Sequence, residues 1–553
     1  MIPRRCQVKL FRSARQLVRS CTNKVKEKDQ NISAAIVEPT SSKQLTDQQG
    51  KQLSPKSSFS IDFVVNYLTS IVPWSSAAAS APEALPVEPK PESKVQLPKK
   101  PPQPPTPTSS VVTSPFVYRE AIDRRTSSLI RSLVDCQSSS SRLLRSEELF
   151  KHLLNYPAAS GLAVQERLIP QLLRLRSSYP DPALRERVDQ CLSLLGYVNP
   201  VRRRGISVLS MDGGGTRGLI ALEILEALEA ECGGRPIYEM FDYVIGVSTG
   251  AIIAALVAGL KYSIPHCKQI YREIGKQLFD QSRLWGATGL LLSHSWYDTD
   301  SWVEILKQTM GERLLVDTAM NPKSPKVFYM SFVSAVVNQP RIEPYLFRNY
   351  QPHPDRPSVY LGSSKYTIWQ GLQASGAAPG YFQECILDDY VHQDGGILAN
   401  NPTAIGLHEA KLLWPDKPIQ CVVSVGNGRW LQWYTHGLKG KRVVEHSSLK
   451  EKVAKVVDSA SDTEGVAIIL QDLLPSNTYY RFNPYVSQAY SLNEYRTEVF
   501  DEMVKDGQLY IRKNRPKLRL AANQLCQEKT TGQRFSEWSQ NLVAKVFNFQ
   551  PVV

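Results

Sequence analysis

The sequence predicts an α/β fold in three layers, with a mostly parallel central sheet, a helical region before it and a disordered N-terminus. Three observations support this. From residue 205 onward, short buried strand patterns alternate with amphipathic helices, which is typical of parallel sheets. From 117 to 198, leucines recur at spacings of three and four, as on helices. Before residue 115, the chain is polar and rich in proline, so we expect no packed core there.

The first segment, residues 1–26, has the composition of a mitochondrial transit peptide. It contains eight Lys or Arg residues and no acidic residue, and Leu10, Ala14 and Leu17 recur at helical spacing. The alternative interpretation is a disordered basic tail. Because this segment carries more than half of the net charge of +14, the remaining excess is weak evidence for nucleic-acid binding. We therefore predict a mitochondrial, membrane-associated protein, with peripheral binding to other intracellular membranes as the alternative.

The second segment, residues 27–114, is predicted to be a disordered linker. Residues 82–107 contain ten prolines, a composition that favours extended chain. Residues 61–74 form an apolar island that is shorter than the roughly 20 residues of a membrane span. The island either lies on a membrane surface or docks elsewhere on the protein, and the sequence does not distinguish the two.

Residues 115–200 are predicted to form three to five short helices. Pairs such as Leu149 and Leu153 are spaced for one helix face, and Gly161, Pro180 and Pro182 interrupt the pattern. A helical cap that shields the next domain is the simpler interpretation. A small helix-repeat array with a partner-binding surface is the alternative.

The segment from 205 to 405 carries the α/β pattern. Buried strand patterns are followed by glycine-rich turns and then by helices with an apolar stripe. This order predicts strands at 205–211, 243–247, 327–333 and 420–425, with helices at 219–231 and 251–260.

The first motif of chemical interest is a GxSxG sequence formed by Gly246, Ser248 and Gly250. It falls between a predicted strand and a predicted helix, where a tight turn exposes a nucleophilic serine. The bare pattern is weak evidence, since a serine N-cap between glycines would look the same. Its position therefore carries the prediction.

The second motif is a glycine-rich turn, Asp212–Gly218, between the first strand and its helix. Gly213, Gly214 and Gly215 leave backbone amides free to bind an anion, and Arg217 adds a positive charge. With Gly218, the turn also matches a dinucleotide-binding fingerprint, and it is similar to the phosphate loop of sugar kinases and actin-like ATPases. Neither alternative predicts a serine elbow 36 residues later.

The third motif is Asp394 with Gly395 and Gly396, followed by Asn400, Asn401 and Pro402, where a helix should begin. Alone, it is an ordinary turn signal. In this order, the three motifs resemble the patatin-like phospholipase family over about residues 206–405. Stretches at 196–200, 472–475 and 479–484 are similar to the calcium-independent phospholipase A2 gamma branch of that family.

This resemblance implies a patatin-like catalytic domain at 205–405 and a C-terminal α/β extension at 406–553 that completes the catalytic unit. It also implies a serine–aspartate dyad, with Ser248 as nucleophile, Asp394 as general base, and an oxyanion hole formed by Gly213, Gly214, Gly215 and Arg217. The expected function is hydrolysis of fatty-acyl esters of phospholipids at a membrane surface. Alternatives are a triacylglycerol lipase or acyltransferase, and a non-catalytic lipid-binding scaffold.

A catalytic triad with a histidine is the competing mechanism. His392 precedes Asp394, and His408, His436 and His446 follow it. In an α/β-hydrolase, however, the elbow follows several strands, whereas here it follows the second. The resemblance favours the dyad.

Neither a cofactor nor a metal is predicted, and the sequence identifies no protein partner. A calcium loop starting at Asp298 would need Gly where Val303 stands and Glu where Thr309 stands. Asp298 and Ser301 should instead begin a helix, with Ser301 and Glu304 spaced as a capping box. Residues 430–442 and 449–457 combine apolar and basic side chains that suit a membrane interface, although packing on the core is an equal alternative.

Overall fold

The structure is a computed structural model that describes residues 115–280, 295–319, 328–430 and 462–547. The predicted transit peptide, linker and apolar island at 61–74 lie outside these residues. The same is true of residues 449–457 and of the interfacial segment 430–442 after Trp430.

The helical region before the sheet consists of five helices around a core of their own. Leu149, Leu172 and Val188 are fully buried in that core, and Val316 from the α/β region packs into it. The predicted helical region is therefore present. The helices are α1 (Pro115–Val134), α2 (Ser139–Asn155), α3 (Ala159–Gln165), α4 (Leu168–Ser178) and α5 (Pro182–Leu194).

The described strands form one nine-stranded sheet whose centre is parallel. Strands β1 and β2 pair in parallel, and so do β1 with β8, β2 with β3, and β8 with β9. Strands β4 and β7 both run antiparallel to β3, which makes the sheet mixed at that side. The strands are β1 (Ile206–Met211), β2 (Tyr243–Val247), β3 (Tyr329–Val336), β4 (Glu343–Arg348), β5 (Leu361–Ser363), β6 (Cys385–Leu387), β7 (Tyr390–Asp394), β8 (Ile419–Val425) and β9 (Tyr479–Phe482).

The three layers follow from the alternation of side chains along the central strands. Leu209 and Met211 of β1 face one apolar cluster, and Ile206 and Val208, an odd number of residues away from Leu209, face another. Helices cover both faces, as parallel sheets require. They are α6 (Gly218–Glu231), α7 (Ile237–Met240), α8 (Thr249–Ala254), α9 (Ile264–Phe279), α10 (Thr299–Met310), α11 (Ile368–Ser375), α12 (Gly396–Ala399), α13 (Thr403–Leu413), α14 (Thr463–Leu473), α15 (Thr497–Cys526) and α16 (Thr531–Phe547).

The structure corrects several predicted boundaries. The helix predicted at 251–260 starts at Thr249 and ends in a π-helical turn, Ala255–Gly259. The helix after the Asp394 motif starts at Thr403, three residues later than predicted.

The capping box predicted at Ser301 and Glu304 is wrong. Asp298 is the N-cap of α10, because its carboxylate accepts hydrogen bonds from the backbone amides of Asp300 and Ser301.

Two negative findings concern the described residues. None of their helices combines the length and the apolar character that a membrane span requires. Their seven cysteines are all free.

Candidate active site

Ser248 lies in a strained turn between β2 and α8. Its backbone angles are φ 53° and ψ −121°, which a residue with a side chain seldom adopts. Gly246 and Gly250 make the turn possible: a Cβ at Gly246 would lie 2.2 Å from the Gly250 oxygen, and one at Gly250 would lie 2.2 Å from the Met211 oxygen. The GxSxG sequence thus forms the predicted strand–turn–helix elbow.

Ser375, at the end of α11, holds this turn in place. Its Oγ accepts a hydrogen bond from the Ser248 amide at 2.8 Å and donates one to the Val333 carbonyl at 2.6 Å. Ser375 is fully buried, so it satisfies two backbone groups that water cannot reach. The sequence did not predict this contact, because Ser375 lies in no recognised motif.

Asp394 ends β7 and points to Ser248. It lines the same pocket as Ser248 and has Ser248 as a hydrogen-bonding neighbour, and the Gly396 amide donates to Asp394 Oδ1 at 2.7 Å. Burial raises the pKa of Asp394 to about 6, although both hydrogen bonds oppose the shift. Gly395, which lies between Asp394 and Gly396, is close to β3: a Cβ on Gly395 would be 2.4 Å from the Val333 oxygen.

The glycine-rich turn follows β1 and lies beside the serine. A Cβ on Gly213 would be 3.2 Å from the Ser248 Cβ, and Gly213, Gly214 and Gly215 all line the pocket that contains Ser248 and Asp394. The structure therefore brings the three predicted motifs together in one pocket.

Arg217 and Gly218 have a different position from the three glycines. Neither lines the pocket. Arg217 Nε donates to the Gly214 carbonyl at 3.0 Å, and Gly218 opens α6. The Arg217 side chain thus contacts the turn itself, and its predicted place in the oxyanion hole stays a prediction.

Two further groups anchor the glycine-rich turn from behind. The Asn427 amide donates to the Asp212 carbonyl at 2.7 Å, and the Arg481 guanidinium binds the Asp212 carboxylate at 2.6 and 2.9 Å. Asn427 follows β8 and Arg481 lies in β9, so the end of β1 is tied to the next two strands of the sheet on that side. The sequence did not predict either contact.

The rest of the pocket is apolar. It extends from the polar groups between α8, α9 and α10, and Trp302 and Phe382 stack with their ring centres 5.7 Å apart. Such a lining suits a hydrocarbon group. The apolar side chains that line it are Ile252, Ile274, Leu278, Phe279, Trp302, Ala378, Phe382 and Leu492.

No histidine of the described residues lines this pocket. His392 is fully buried two residues before Asp394, where its Nδ1 lies 3.0 Å from Ser334 Oγ. Burial lowers the pKa of His392 to about 4. His408 lies on α13 and packs against Tyr360. His436 and His446 lie outside the described residues.

The same described residues show no metal-binding geometry. They contain no group of three or more His, Cys, Asp or Glu side chains placed to hold a metal ion. Asp298 would be the first residue of the calcium loop considered above. Its carboxylate instead accepts hydrogen bonds from backbone amides as the N-cap of α10.

Known proteins resemble the chain in this region and in its flanks. It is 44% identical over 425 residues to human calcium-independent phospholipase A2-gamma. The aligned region covers 76% of this chain and 53% of the human protein. It is 30% identical over 386 residues to Arabidopsis thaliana phospholipase A I, covering 58% and 28%. It is 28% identical over 352 residues to the rat 85/88 kDa calcium-independent phospholipase A2, covering 58% and 41%.

The chain spans about half the length of the gamma-type relatives that it matches. Residues 209–407 match the sequence profile of patatin-like phospholipases, and this range contains all three motifs of the pocket. This part of the chain therefore belongs to the patatin-like phospholipase family, and the chain around it is similar to calcium-independent phospholipase A2-gamma.

Proposed function

We propose that this chain hydrolyses fatty-acyl esters of membrane phospholipids, with Ser248 as nucleophile and Asp394 as general base. One observation carries the proposal: Ser248, in its strained turn, and the buried carboxylate of Asp394 line one pocket that joins a glycine-rich turn to an apolar lining. The names of the similar proteins support a phospholipid substrate.

The base is suited to this task by its burial. A carboxylate with a pKa of about 6 is still ionised near neutral pH, yet it accepts a proton more readily than an ordinary aspartate. Its pKa remains far below that of a serine hydroxyl, so the base alone cannot drive the reaction. The developing negative charge must be stabilised by amides of Gly213, Gly214 and Gly215.

The reaction proceeds in two steps. Ser248 Oγ attacks the ester carbonyl carbon while Asp394 takes its proton, and the tetrahedral oxygen receives hydrogen bonds from the glycine-rich turn. The ester C–O bond then breaks, and the proton on Asp394 passes to the leaving lysophospholipid oxygen. In the second step, water attacks the acyl-serine, gives a proton to Asp394, and releases the fatty acid as that proton returns to Ser248.

The apolar lining supports a long acyl chain as the group transferred. Most of its side chains come from α8, α9 and α10, and Phe382, which follows α11, packs against Phe279 and Trp302 there. No cofactor takes part in this mechanism. We also propose that the protein acts at mitochondrial membranes, which rests on the composition of residues 1–26.

Ser248→Ala tests the nucleophile. The change removes one hydroxyl, so hydrolysis and labelling by a fluorophosphonate probe should both be lost while the protein stays folded. Ser263→Ala is the matched control, because Ser263 caps α9 without a side-chain hydrogen bond. Substantial hydrolysis by folded Ser248→Ala would exclude Ser248 as the nucleophile.

Product analysis on the wild type separates the alternative functions. Vesicles that contain both phospholipid and triacylglycerol should yield lysophospholipid and fatty acid. Diacylglycerol as the main product would indicate a triacylglycerol lipase. Acyl transfer to an added alcohol without fatty acid would indicate an acyltransferase, and no product at all would favour the lipid-binding scaffold.

A further inference from the structure

A second cleft, of about 630 Å³, lies among α14, the segment after β9, and α15. It shares no lining residue with the pocket of Ser248. Four cationic side chains line it, together with two carboxylates: Arg429, Arg481, Lys513 and Lys517, with Glu464 and Asp506.

The two carboxylates already have donors. Glu464 accepts hydrogen bonds from Arg429, Arg481 and Asn483. Asp506 accepts from the amide and hydroxyl of Ser487 and from the Tyr490 hydroxyl. These acids therefore have little capacity left to neutralise further cations.

Some cationic groups of the cleft lack an acidic partner, although Lys517 Nζ donates a hydrogen bond to the Arg481 carbonyl. Arg429 Nε is buried and has no hydrogen-bond partner. Within the residues that the structure describes, neither Lys513 nor Lys517 forms an ion pair with a carboxylate. Burial, and then the charge of Arg481, lower the pKa of Lys517. An anion in the cleft would relieve this repulsion and supply the missing acceptor.

The cleft opens at the same edge of the sheet as the pocket of Ser248. Strands β2, β1, β8 and β9 are consecutive neighbours and parallel, so their carboxyl ends share one edge. Ser248 follows β2 and the glycine-rich turn follows β1, whereas Arg429 follows β8 and Tyr485 follows β9. Residues at this edge therefore line both the pocket of Ser248 and the cleft.

The rim of the cleft is apolar and exposed. Ile468 on α14 is 62% exposed, Tyr485 is 55% exposed and Leu509 on α15 is 46% exposed. A small soluble anion would leave this rim in water. A lipid held in a bilayer would cover it with glycerol and acyl groups while its phosphate reached the cations.

We propose that the cleft binds the phosphate headgroup of an anionic phospholipid in a bilayer, at a site separate from the catalytic pocket. The site deepens the proposed function, on which its biological use rests, because it would hold the enzyme on the surface that carries its substrate. Binding itself does not require hydrolysis, so the two can be tested apart.

The test is vesicle flotation with the full chain carrying Ser248→Ala, which cannot degrade the vesicles. Phosphatidylcholine vesicles with added phosphatidylglycerol should recruit the protein, and pure phosphatidylcholine vesicles should recruit it much less. Adding Lys513→Gln should weaken binding by about fivefold, the effect of one lysine at an anionic surface. Lys513 is exposed, so the change leaves the core intact.

Arg512→Gln is the matched control. Arg512 is the exposed neighbour of Lys513 on α15, and it does not line the cleft. The proposal requires that this variant bind almost as well as its parent. Equal losses in the two variants would mean that general surface charge attracts the protein, and would overturn the site.

Two other outcomes also overturn the proposal. One is equal binding to vesicles with and without phosphatidylglycerol. The other is complete release of the protein from the vesicles by inorganic phosphate, added at the concentration of the lipid phosphate. That result would make a free anion the occupant of the cleft. The proposed function would instead be refuted, and this site left standing, if the wild type binds the anionic vesicles, Lys513→Gln weakens that binding, and the wild type releases no fatty acid.

Discussion

Replacing Asp394 by asparagine tests both the chemistry of the base and the free energy that its burial costs. Asparagine has the same shape and can still accept the hydrogen bond that the Gly396 amide makes at 2.7 Å. It cannot take a proton from Ser248. We therefore expect hydrolysis to fall by at least about 100-fold, the lower end for loss of a general base.

The magnitude of the stability effect follows from the pKa of Asp394. Burial raises this pKa from 3.8 to about 6, so the folded protein holds the proton more tightly than the unfolded chain. The stabilisation that the Asp394 side chain contributes is therefore fully present below pH 3.8 and is lost as the pH rises through about 6. The loss amounts to about 3 kcal/mol at most, because each pKa unit corresponds to about 1.4 kcal/mol.

Asparagine is neutral at every pH and avoids this loss. Above a pH of about 6, Asp394→Asn should be more stable than the wild type by up to about 3 kcal/mol, and the gain should vanish towards pH 4. Urea unfolding of both proteins across this range measures the difference. In parallel, wild-type hydrolysis should fall about tenfold for each pH unit below the pKa of Asp394.

Asp388→Asn is the matched control. Asp388 lies between β6 and β7, pairs with Lys365, and has a lowered pKa because Lys365 and Tyr366 hydrogen-bond to it. The stabilisation that Asp388 contributes is present at neutral pH and is lost as the pH falls through its lowered pKa. This pH dependence is opposite to that of Asp394. The control should keep full activity and gain no stability.

Two results would refute the reasoning on Asp394. Near-normal hydrolysis by Asp394→Asn would exclude Asp394 as the base, and an equal loss in His392→Gln or His408→Gln would favour a triad. An inactive Asp394→Asn whose stability follows the wild type at every pH would show that the carboxylate is not desolvated.

Three further predictions concern calcium, the glycine-rich turn and location. Hydrolysis should survive EGTA, and a loss restored by micromolar calcium would reveal a metal site. Asn427→Ala removes the 2.7 Å hydrogen bond to the Asp212 carbonyl, so kcat should fall about tenfold with KM little changed; an unchanged kcat would contradict this role. Residues 1–60 should carry a fluorescent protein into mitochondria, and Arg12, Arg15 and Arg19 changed to Glu should prevent it; digestion of full-length protein by protease added to intact mitochondria would count against import.

Local sequence predicted those parts of the site that are local in the chain. The elbow at Ser248 needs glycines two residues away on either side, and the turn after β1 needs consecutive glycines, so both leave a short pattern in the sequence. Strand β2, Tyr243–Val247, has the predicted bounds, because a buried strand between polar turns is recognisable from its residues alone.

The supports of the site could not be predicted in the same way. Ser375 lies 127 residues from Ser248, and Arg481 lies 269 residues from Asp212. Ser375 meets Ser248 because the end of α11 lies against β3, the neighbour of β2, and Arg481 meets Asp212 because β9 lies two strands from β1; no local pattern encodes this order. The available signal was weak: Asn427 lies between two glycines at the end of a buried strand, where parallel sheets place ligand-binding residues.

Helix ends were predicted less well than strands. Ser301 and Glu304 have the spacing of a capping box, but Asp298, three residues earlier, accepts hydrogen bonds from both the amide and the hydroxyl of Ser301 and caps the helix. The π-helical turn at Ala255–Gly259 has no signature in an apolar run of small residues.

The geometry of the site depends on the packing of the sheet as much as on the motifs. Ser248 has a backbone conformation that costs on the order of 1–3 kcal/mol, and its amide depends on Ser375. The buried Asp212–Arg481 pair is 4% and 7% exposed, so removing either partner would leave an uncompensated charge at a cost of about 3–5 kcal/mol. Variants of that pair would therefore report on folding rather than on chemistry. Asp394→Asn and Asn427→Ala change single polar groups without stranding a charge, so a loss of turnover in a stably folded variant can be assigned to the reaction itself.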